Sequence, residues 1–452
     1  MSAATQVGEG QAGEIQGGAG GLPTALWSHN FRLYFTLRTV SMLGDAMMPV
    51  AVTIGVLAAG YGAAGVGYAF AAWSAPVALL VLFGGALADR FTPRRMMAFA
   101  DVARVGTQSL LAVVLSSHVP VFWQILCLQA VAGAATATFQ PGVASVLPQV
   151  ARDVQRANGI LRISEALVTL LGPAFAGVLI SFSGAGPVLY VDAATFGVSA
   201  LCLSVLRLGP GERRIGEGAL WRNVTLGWHE FRSRAWLWSV ILIWSVYGLL
   251  VFAPTAPLGA SVIVSEHGSL AYGVVSSMFG AGAIAGGLIA LRIRPARPLA
   301  VGAAAMSTFA LCPLTTAFRF PVPVICAGFL VAGTGFALWN VIWLTTMQTH
   351  VPPTALNRVY VYDVAGSTMV LPLGRALAGP AADQFGIRPI LIAATVFAVV
   401  GSIAMLCVPA IRGLRRVPPD FGEPGETGGP GETAAAVPGR RPEPLGPVEM
   451  EL

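Results

Sequence analysis

The sequence predicts an all-α membrane protein: twelve transmembrane helices in two six-helix bundles related by pseudo-symmetry. Three observations carry that prediction. The 452 residues are 55% hydrophobic and only 11% charged, with a mean hydropathy of +0.72. A water-soluble domain carries about 25% charged residues, so a core of soluble type cannot hide this much apolar surface and lipid must be the solvent for most of it. The apolar residues fall into twelve segments, each long enough to cross hydrocarbon at roughly 20 residues. The last six segments repeat the first six at a constant offset of 202 residues.

In order, the segments span 33–59, 66–88, 96–117, 120–148, 156–181, 187–207, 236–260, 271–291, 298–317, 322–349, 355–381 and 388–410. In hydrocarbon each backbone must bond to itself, so all are helices. Residues 1–28 are rich in Gly, Ala and Glu and lack the basic and apolar regions of a cleaved signal peptide, which predicts a disordered cytoplasmic tail. The first bundle covers 29–207 and the second 236–411. Between them, 208–235 reads as a cytoplasmic linker. There Leu220, Val224, Trp228 and Phe231 fall at helical spacing with Arg222, Glu230 and Arg232 between them, predicting an amphipathic helix on the membrane surface. Residues 412–452 turn to Pro, Gly and Glu and read as a second disordered cytoplasmic tail.

Arginine supplies all 27 basic residues and sets the orientation. With the N-terminus inside, fifteen arginines lie in cytoplasmic loops and only Arg319 and Arg388 lie outside. This predicts a multi-pass protein of the cell membrane with both termini cytoplasmic. The net charge of +6 belongs to that inner face and does not point to nucleic acid. The repeat is carried best by its charged and proline matches. Adding 202 to Arg90, Pro93, Arg95, Arg156 and Pro187 gives Arg292, Pro295, Arg297, Arg358 and Pro389. Parallel repeats of this kind are related by an axis along the membrane normal. Asp89 maps to Leu291, so the second copy of its turn has lost the acid.

That turn, Gly85-Ala-Leu-Ala-Asp89-Arg90-Phe-Thr-Pro-Arg94-Arg95, joins the second and third segments and must reach water. It resembles the signature loop of the major facilitator superfamily, whose members usually carry Gly where this chain has Thr92. The resemblance covers about residues 30–410. It implies the facilitator fold and a secondary transporter working by alternating access. It also implies that Asp89 braces the cytoplasmic end of the eleventh helix, near 354–358, when the transporter is open to the outside. Gly85, Asp89, Arg90, Arg94, Arg95 and Arg358 would together form the conformational switch. A helix N-terminus carries partial positive charge, so an acid there is physically sensible.

In the fifth segment, Gly159-x8-Val168-x3-Gly172-Pro173-x-x-Ala176-Gly177 resembles the antiporter motif of drug-exporting facilitators, with two glycines replaced by Val168 and Ala176. Small residues permit a close helix contact and Pro173 removes a backbone donor. Ordinary small-residue packing is the alternative reading of that stretch. Gln129 stands where many proton antiporters carry an arginine. The stretches Phe31-Arg32 to Gly44-Asp45, Gln348 to Val359 and Pro372 to Pro389 resemble the subgroup of the enterobactin exporter and macrolide-efflux proteins, with Asn357 where Gly is usual.

Ionisable groups inside a membrane are costly and therefore candidates for function. Asp45 lies about 18 Å into the first helix, at about 1.5 Å per residue, and Arg38 shares its face two turns earlier. Arg162 and Glu165 are i, i+3 neighbours on the fifth helix. Asp45 and Glu165, with Arg162 beside the latter, are the proton-coupling candidates: a carboxyl that gains a proton facing outward and loses it facing inward can drive export. A fixed ion pair is the other reading of both. Asp101 and Arg104 read as a structural ion pair near the cytoplasmic end of the third helix, and Asp192 as a cap or packing acid near the outer end of the sixth. Arg38, Trp244, Tyr247, Trp339, Asn340, Asp363 and Arg375, with Trp343, are candidates for the substrate cavity, and lipid-facing packing is the alternative for each aromatic.

Enzyme readings find little support. The five cysteines show no disulfide or metal spacing, no Ser/His/Asp array is present, and the nucleotide loop Gly-x4-Gly-Lys-Ser/Thr needs a lysine that the chain lacks. No cofactor and no metal are expected. The expected function is secondary active export of a small amphiphilic organic compound, such as a drug, antibiotic or siderophore, coupled to the proton gradient, by a monomer in the lipid bilayer. An importer on the same fold, facilitative or proton-linked, and a non-transporting receptor or scaffold are the alternatives.

Overall fold

A computed structural model describes residues 27–81, 92–117, 120–151, 153–207, 228 and 231–416. Every regular element among them is helical. The first half comprises α1 (His29–Ala58), α2 (Gly62–Val81), α3 (Pro93–Ser116), α4 (Phe122–Val150), α5 (Val154–Ser183) and α6 (Ala185–Val205). The second comprises α7 (Ala235–Tyr247), α8 (Ala253–Arg292), α9 (Pro298–Met306), α10 (Leu311–Ala317), α11 (Val322–His350), α12 (Pro353–Thr368), α13 (Leu371–Phe385), α14 (Ile387–Cys407) and the short α15 (Pro409–Arg412). The two tails, most of the linker and Gly85, Asp89 and Arg90 of the charged turn lie outside the described residues.

Among the described residues ten helices are long and apolar enough to cross a membrane. Twelve crossings are nonetheless present. One of the ten, Ala235–Arg292, is 58 residues long, about 87 Å at 1.5 Å per residue and so about three times the hydrocarbon thickness. It is two crossings meeting at Gly268, whose φ of 82° breaks the helix into two arms. The eleventh crossing is divided between α12 and α13 at Met369–Val370, so neither piece reaches spanning length alone. The seventh and ninth crossings are also irregular, with a π turn at Gly248–Phe252 and a 3-10 turn at Ser307–Ala310. All three interruptions fall in mid-crossing in the second half.

Local chemistry fixes the helix ends. Ser28 accepts the Phe31 N–H at 3.2 Å to start α1, and Asp153 accepts that of Arg156 at 2.9 Å to start α5; these satisfy donors that the first turn leaves free. Gly184 turns the chain from α5 into α6 with φ 79°, and Gly386 turns it from α13 into α14 with φ 87°. Both conformations favour glycine. The two positions are 202 residues apart, so the repeat extends to backbone geometry.

Packing repeats as well. In the first half α1 and α3 pack on α6, α2 and α3 pack on α4, and α1 packs on α5. In the second, α7 and α9 pack on α14, and the second arm of α8 and α9 pack on α11. The halves meet where α5 crosses α8 and where α2 crosses α13. A Cβ on Gly273 would come within 2.6 Å of the Pro173 carbonyl oxygen and 2.9 Å of the Gly177 Cα, and one on Gly280 within 2.6 Å of the Thr169 carbonyl oxygen. The Ala174 N–H donates to Ser277 Oγ across the same crossing at 2.9 Å. A Cβ on Gly67 would lie 2.5 Å from the Arg375 carbonyl oxygen. These contacts run from the middle of the helices, at Gly280 and Thr169, toward the end of the molecule that carries Gly184, Gly268 and Gly386, the corner end. The opposite end carries Arg94 and Arg95 at the start of α3.

Candidate functional site

The core of the first half is not one apolar mass. One cluster, with Met47, Val50, Val66, Leu111 and Leu189, lies toward the corner end, and another, with Phe31, Tyr34, Met97, Phe139 and Leu203, toward the opposite end. Between them α1, α3 and α6 each contribute polar groups at the same level: Asp45, Asp101 with Arg104, and Asp192 with Ser199. The predicted Asp101–Arg104 pair is present, and it is part of this larger layer.

Arg104 Nη2 donates to Asp101 Oδ1 at 2.6 Å, and Ser199 Oγ donates to Asp101 Oδ2 at 2.6 Å. Arg104 Nη1 is 3.6 Å from Asp45 Oδ2. The guanidinium lies between two aromatic faces, its Cζ 4.1 Å from the centre of Phe196 and 4.4 Å from that of Phe139. Such stacking suits a planar cation that has left water. Exposure differs sharply across the layer: 0% for Asp101 and 2% for Arg104, but 39% for the Asp45 side chain. Asp45 is thus the accessible member.

Of the two readings of Asp192, a cap or a packing acid, the structure removes the cap. The N-cap of α6 is Gly184, and Asp192 lies two turns inside the helix with 0% exposure. Its carboxyl rests on the backbone of Gly44, where a Cβ would collide with it, and the Thr195 hydroxyl donates to its backbone carbonyl at 2.6 Å. Neither carboxyl oxygen has a hydrogen-bond partner among the described residues.

The other predicted residues are dispersed. Arg162 pairs with Glu165 at 2.9 Å on an open face of α5, with side-chain exposures of 77% and 44%; the pair is not part of the layer that holds Asp45. Arg38 is half-buried on α1, and its charge acts on Asp45 after that of Arg104. Gly172 packs on Ala46, where a Cβ would come within 2.6 Å of the alanine methyl, Pro173 and Gly177 meet Gly273 of α8, and Gly159 faces open space. Arg94 caps the C-terminus of α6: its Nε donates to the Leu203 carbonyl at 2.7 Å and its Nη2 to that of Ser204. Arg95 is exposed, and the Arg358 side chain is outside the described set.

In the second half the structure draws Trp244, Tyr247, Trp339 and Trp343 into one column. Ring centres are 5.9 Å apart for Trp244–Tyr247, 5.5 Å for Trp244–Trp339 and 5.9 Å for Trp339–Trp343, with planes within 16° of parallel. Phe252 packs against it tilted and Phe309 edge-on, while Phe336 stacks on Trp244 at 6.4 Å. At one end Trp343 Nε1 donates to Asp363 Oδ1 at 3.1 Å. Asn340 is exposed and spends its amide on the Phe336 carbonyl at 2.8 Å, so it does not join the column. Arg375 sits between the halves, its Nη1 3.4 Å from the Phe70 carbonyl oxygen. Among the described residues no group of His, Cys, Asp and Glu could hold a metal ion.

The repeat relates the two regions directly. Adding 202 to Asp45 and Arg104 gives Tyr247 and Met306, and the Tyr247 hydroxyl donates to the Met306 carbonyl at 3.3 Å. The position that is a charged pair in one half is an aromatic contact in the other. Sequence reasoning read Asp192 only as a cap or packing acid and missed the phenylalanines around the column. The spacing of Phe336, Trp339 and Trp343 on one face of α11 was the available signal for part of the latter.

Twelve crossings in two matching bundles, with polar groups held inside one of them, define a membrane transporter. The Major Facilitator Superfamily profile matches residues 34–369, and the chain belongs to that family, whose members are transporters and not enzymes. It is 21% identical over 394 residues to the MFS-type transporter YvqJ of Bacillus subtilis, covering 84% of this chain and 93% of YvqJ. It is 25% identical over 357 residues to the multidrug efflux pump Tap of Mycobacterium tuberculosis, covering 76% and 84%. Among solved structures it resembles the nucleoside transporter NupG, with a TM-score of 0.65 at 14% identity over 82% of this chain and 98% of NupG. It also resembles the inward-open xylose transporter XylE of E. coli, with a TM-score of 0.60 at 13% identity over 83% and 96%.

Proposed function

We propose that this protein is a proton-coupled exporter of a small amphiphilic organic compound, such as a drug, antibiotic or siderophore, working by alternating access as a monomer in the cell membrane. One observation carries this reading: the two halves present different chemistry at equivalent positions. The first half offers Asp45, accessible and held 3.6 Å from a buried guanidinium, a carboxyl that can gain and lose a proton as access changes. The second offers the half-buried Trp244 and Asp363, backed by the core rings Tyr247, Trp339 and Trp343, a pairing suited to flat apolar bodies with a polar end. The likeness to Tap, a multidrug efflux pump, favours export. With both termini cytoplasmic, as the arginines predict, the corner end faces outward, and the tight α5–α8 and α2–α13 crossings support reading this as the inward-facing state.

The test uses inside-out membrane vesicles energised by respiration and a fluorescent amphiphilic cation as probe. Wild type is expected to accumulate the probe and to lose it on adding an uncoupler. Asp45→Asn is expected to reduce proton-driven accumulation by about tenfold or more, the order seen when a positioned proton-transfer group is removed. Accumulation by Asp45→Asn at the wild-type rate, in protein inserted at equal level, would remove Asp45 from coupling. Flux down a gradient that ignores the uncoupler would replace the exporter with a facilitator.

A further inference from the structure

The buried layer holds three carboxyls around one guanidinium, and they are not equivalent. Asp101 is fully engaged, one oxygen on Arg104 and the other on Ser199. Asp45 has Nη1 of the same arginine at 3.6 Å and an opening to its surroundings. Asp192 has neither: it is 0% exposed, and both oxygens lack a partner among the described residues. It nevertheless faces the layer, because its carboxyl lies on the backbone of Gly44, the residue before Asp45. The charges that act on Asp192 are those of Asp45 on α1 and Arg104 on α3. Arg38 on α1 acts on Asp45, and Asp101 completes the α3 face. An ionised carboxylate buried away from donor groups, beside a second carboxylate, is strongly disfavoured; a neutral acid at the same place costs far less.

We propose that Asp192 is a second proton-binding residue of the transport cycle, holding a proton in this conformation and exchanging it with Asp45 under the control of Arg104. This rests on the proton-coupled reading above. In the exchange the O–H bond of Asp192 breaks and one on Asp45 forms. The negative charge passes from Asp45 to Asp192, and Nη1 of Arg104 follows it while Nη2 stays on Asp101. Asp45, being accessible, then gives the proton to water. The only species moved is the proton. Gly44 is the positioning residue, since its missing side chain is what lets the Asp192 carboxyl reach α1.

The test needs no transported compound. Infrared spectra of the purified full-length protein, recorded as pH is varied, report protonated carboxyls by their C=O stretch. Wild type is expected to keep such a band at about pH 7, where an ordinary aspartate has lost its proton. The band is expected to vanish in Asp192→Asn and to survive unchanged in Asp383→Asn, which removes an exposed acid of α13. A second measurement guards against a folding artefact. Asn mimics the neutral acid, so the thermal midpoint of Asp192→Asn should lie close to wild type below about pH 4, where the aspartate is protonated in the unfolded chain as well. As pH rises the variant should gain on wild type, because a folded state that binds an extra proton loses stability with rising pH. An unchanged band in Asp192→Asn overturns the proposal. So does a collapsed midpoint without that pH dependence, which would mark Asp192 as an ionised structural partner. A protonated Asp192 in a wild type whose transport moves no protons would overturn the coupling reading and leave Asp192 a structural acid.

Discussion

Arg104 shows how far a single side chain can organise a helix bundle. It is almost fully buried, flanked by Phe139 and Phe196, and tied to α3, α1 and, through Asp101 and Ser199, to α6. Removing the charge that neutralises it leaves a bare cation in a low-dielectric interior. Asp101→Asn is therefore expected to destabilise the fold by about 3–5 kcal/mol, the cost of breaking a buried pair on one side; a lowered thermal midpoint in purified protein checks this, and an unchanged midpoint would show that Asp45 or water takes over. The Asp101–Arg104 contact was legible in the sequence because i, i+3 spacing is local. The place of Asp192 was not, because it depends on α6 lying against Gly44, nearly 150 residues away, and no local pattern encodes that approach. The bond from Trp343 to Asp363 was hidden for the same reason: it closes between two helices, with a turn intervening.

At the level of helices, the crossing of α5 and α8 is the contact that closes the corner end. Backbone meets backbone there, with Gly273 against Pro173 and Gly177. Gly273→Leu is expected to cost about 1–3 kcal/mol through overpacking and to shift the molecule away from this closed state. On a background lacking the five native cysteines, Ala174→Cys should then react faster with a membrane-impermeant thiol reagent added from outside. An unaltered rate would show that α8 yields without opening the crossing. The Gly-Pro-containing motif of α5 was readable as a close-contact surface, but its partner was not, since small residues are common throughout both halves. Hydropathy already separated 236–260 from 271–291 across the Gly268 corner, but the breaks at Gly248–Phe252, Ser307–Ala310 and Met369–Val370 escaped the sequence. Each lies inside an unbroken apolar run, where hydropathy sees only length.

For the whole molecule, the offset of 202 residues was the most informative feature of the sequence. It anticipated two bundles, and the structure extends it to the paired corners at Gly184 and Gly386. It does not extend to the chemistry inside: the charged pair of the first half becomes Tyr247 and Met306 in the second. A rocking mechanism needs its two ends held alternately, and the charged turn is the proposed latch for the end opposite the corners. Arg94, holding the last carbonyls of α6, anchors the turn to the first half. Asp89→Asn is expected to leave the protein folded while slowing transport by about 5–150-fold, the range of a coupling energy of about 1–3 kcal/mol. Probe uptake into inside-out vesicles at equal insertion measures it, and wild-type uptake would remove the latch.

The aromatic column has one more consequence. Trp244, Trp339 and Trp343 stack within 6 Å of one another in sequence along it, and Trp236 leans edge-on against Trp343 at 5.8 Å. Indoles so close share their excitation and quench together, so the light they emit depends on their spacing. The protein therefore carries its own optical gauge in the column whose Trp244 is proposed to meet the cargo, and that column's movements can be followed in real time without attaching a dye.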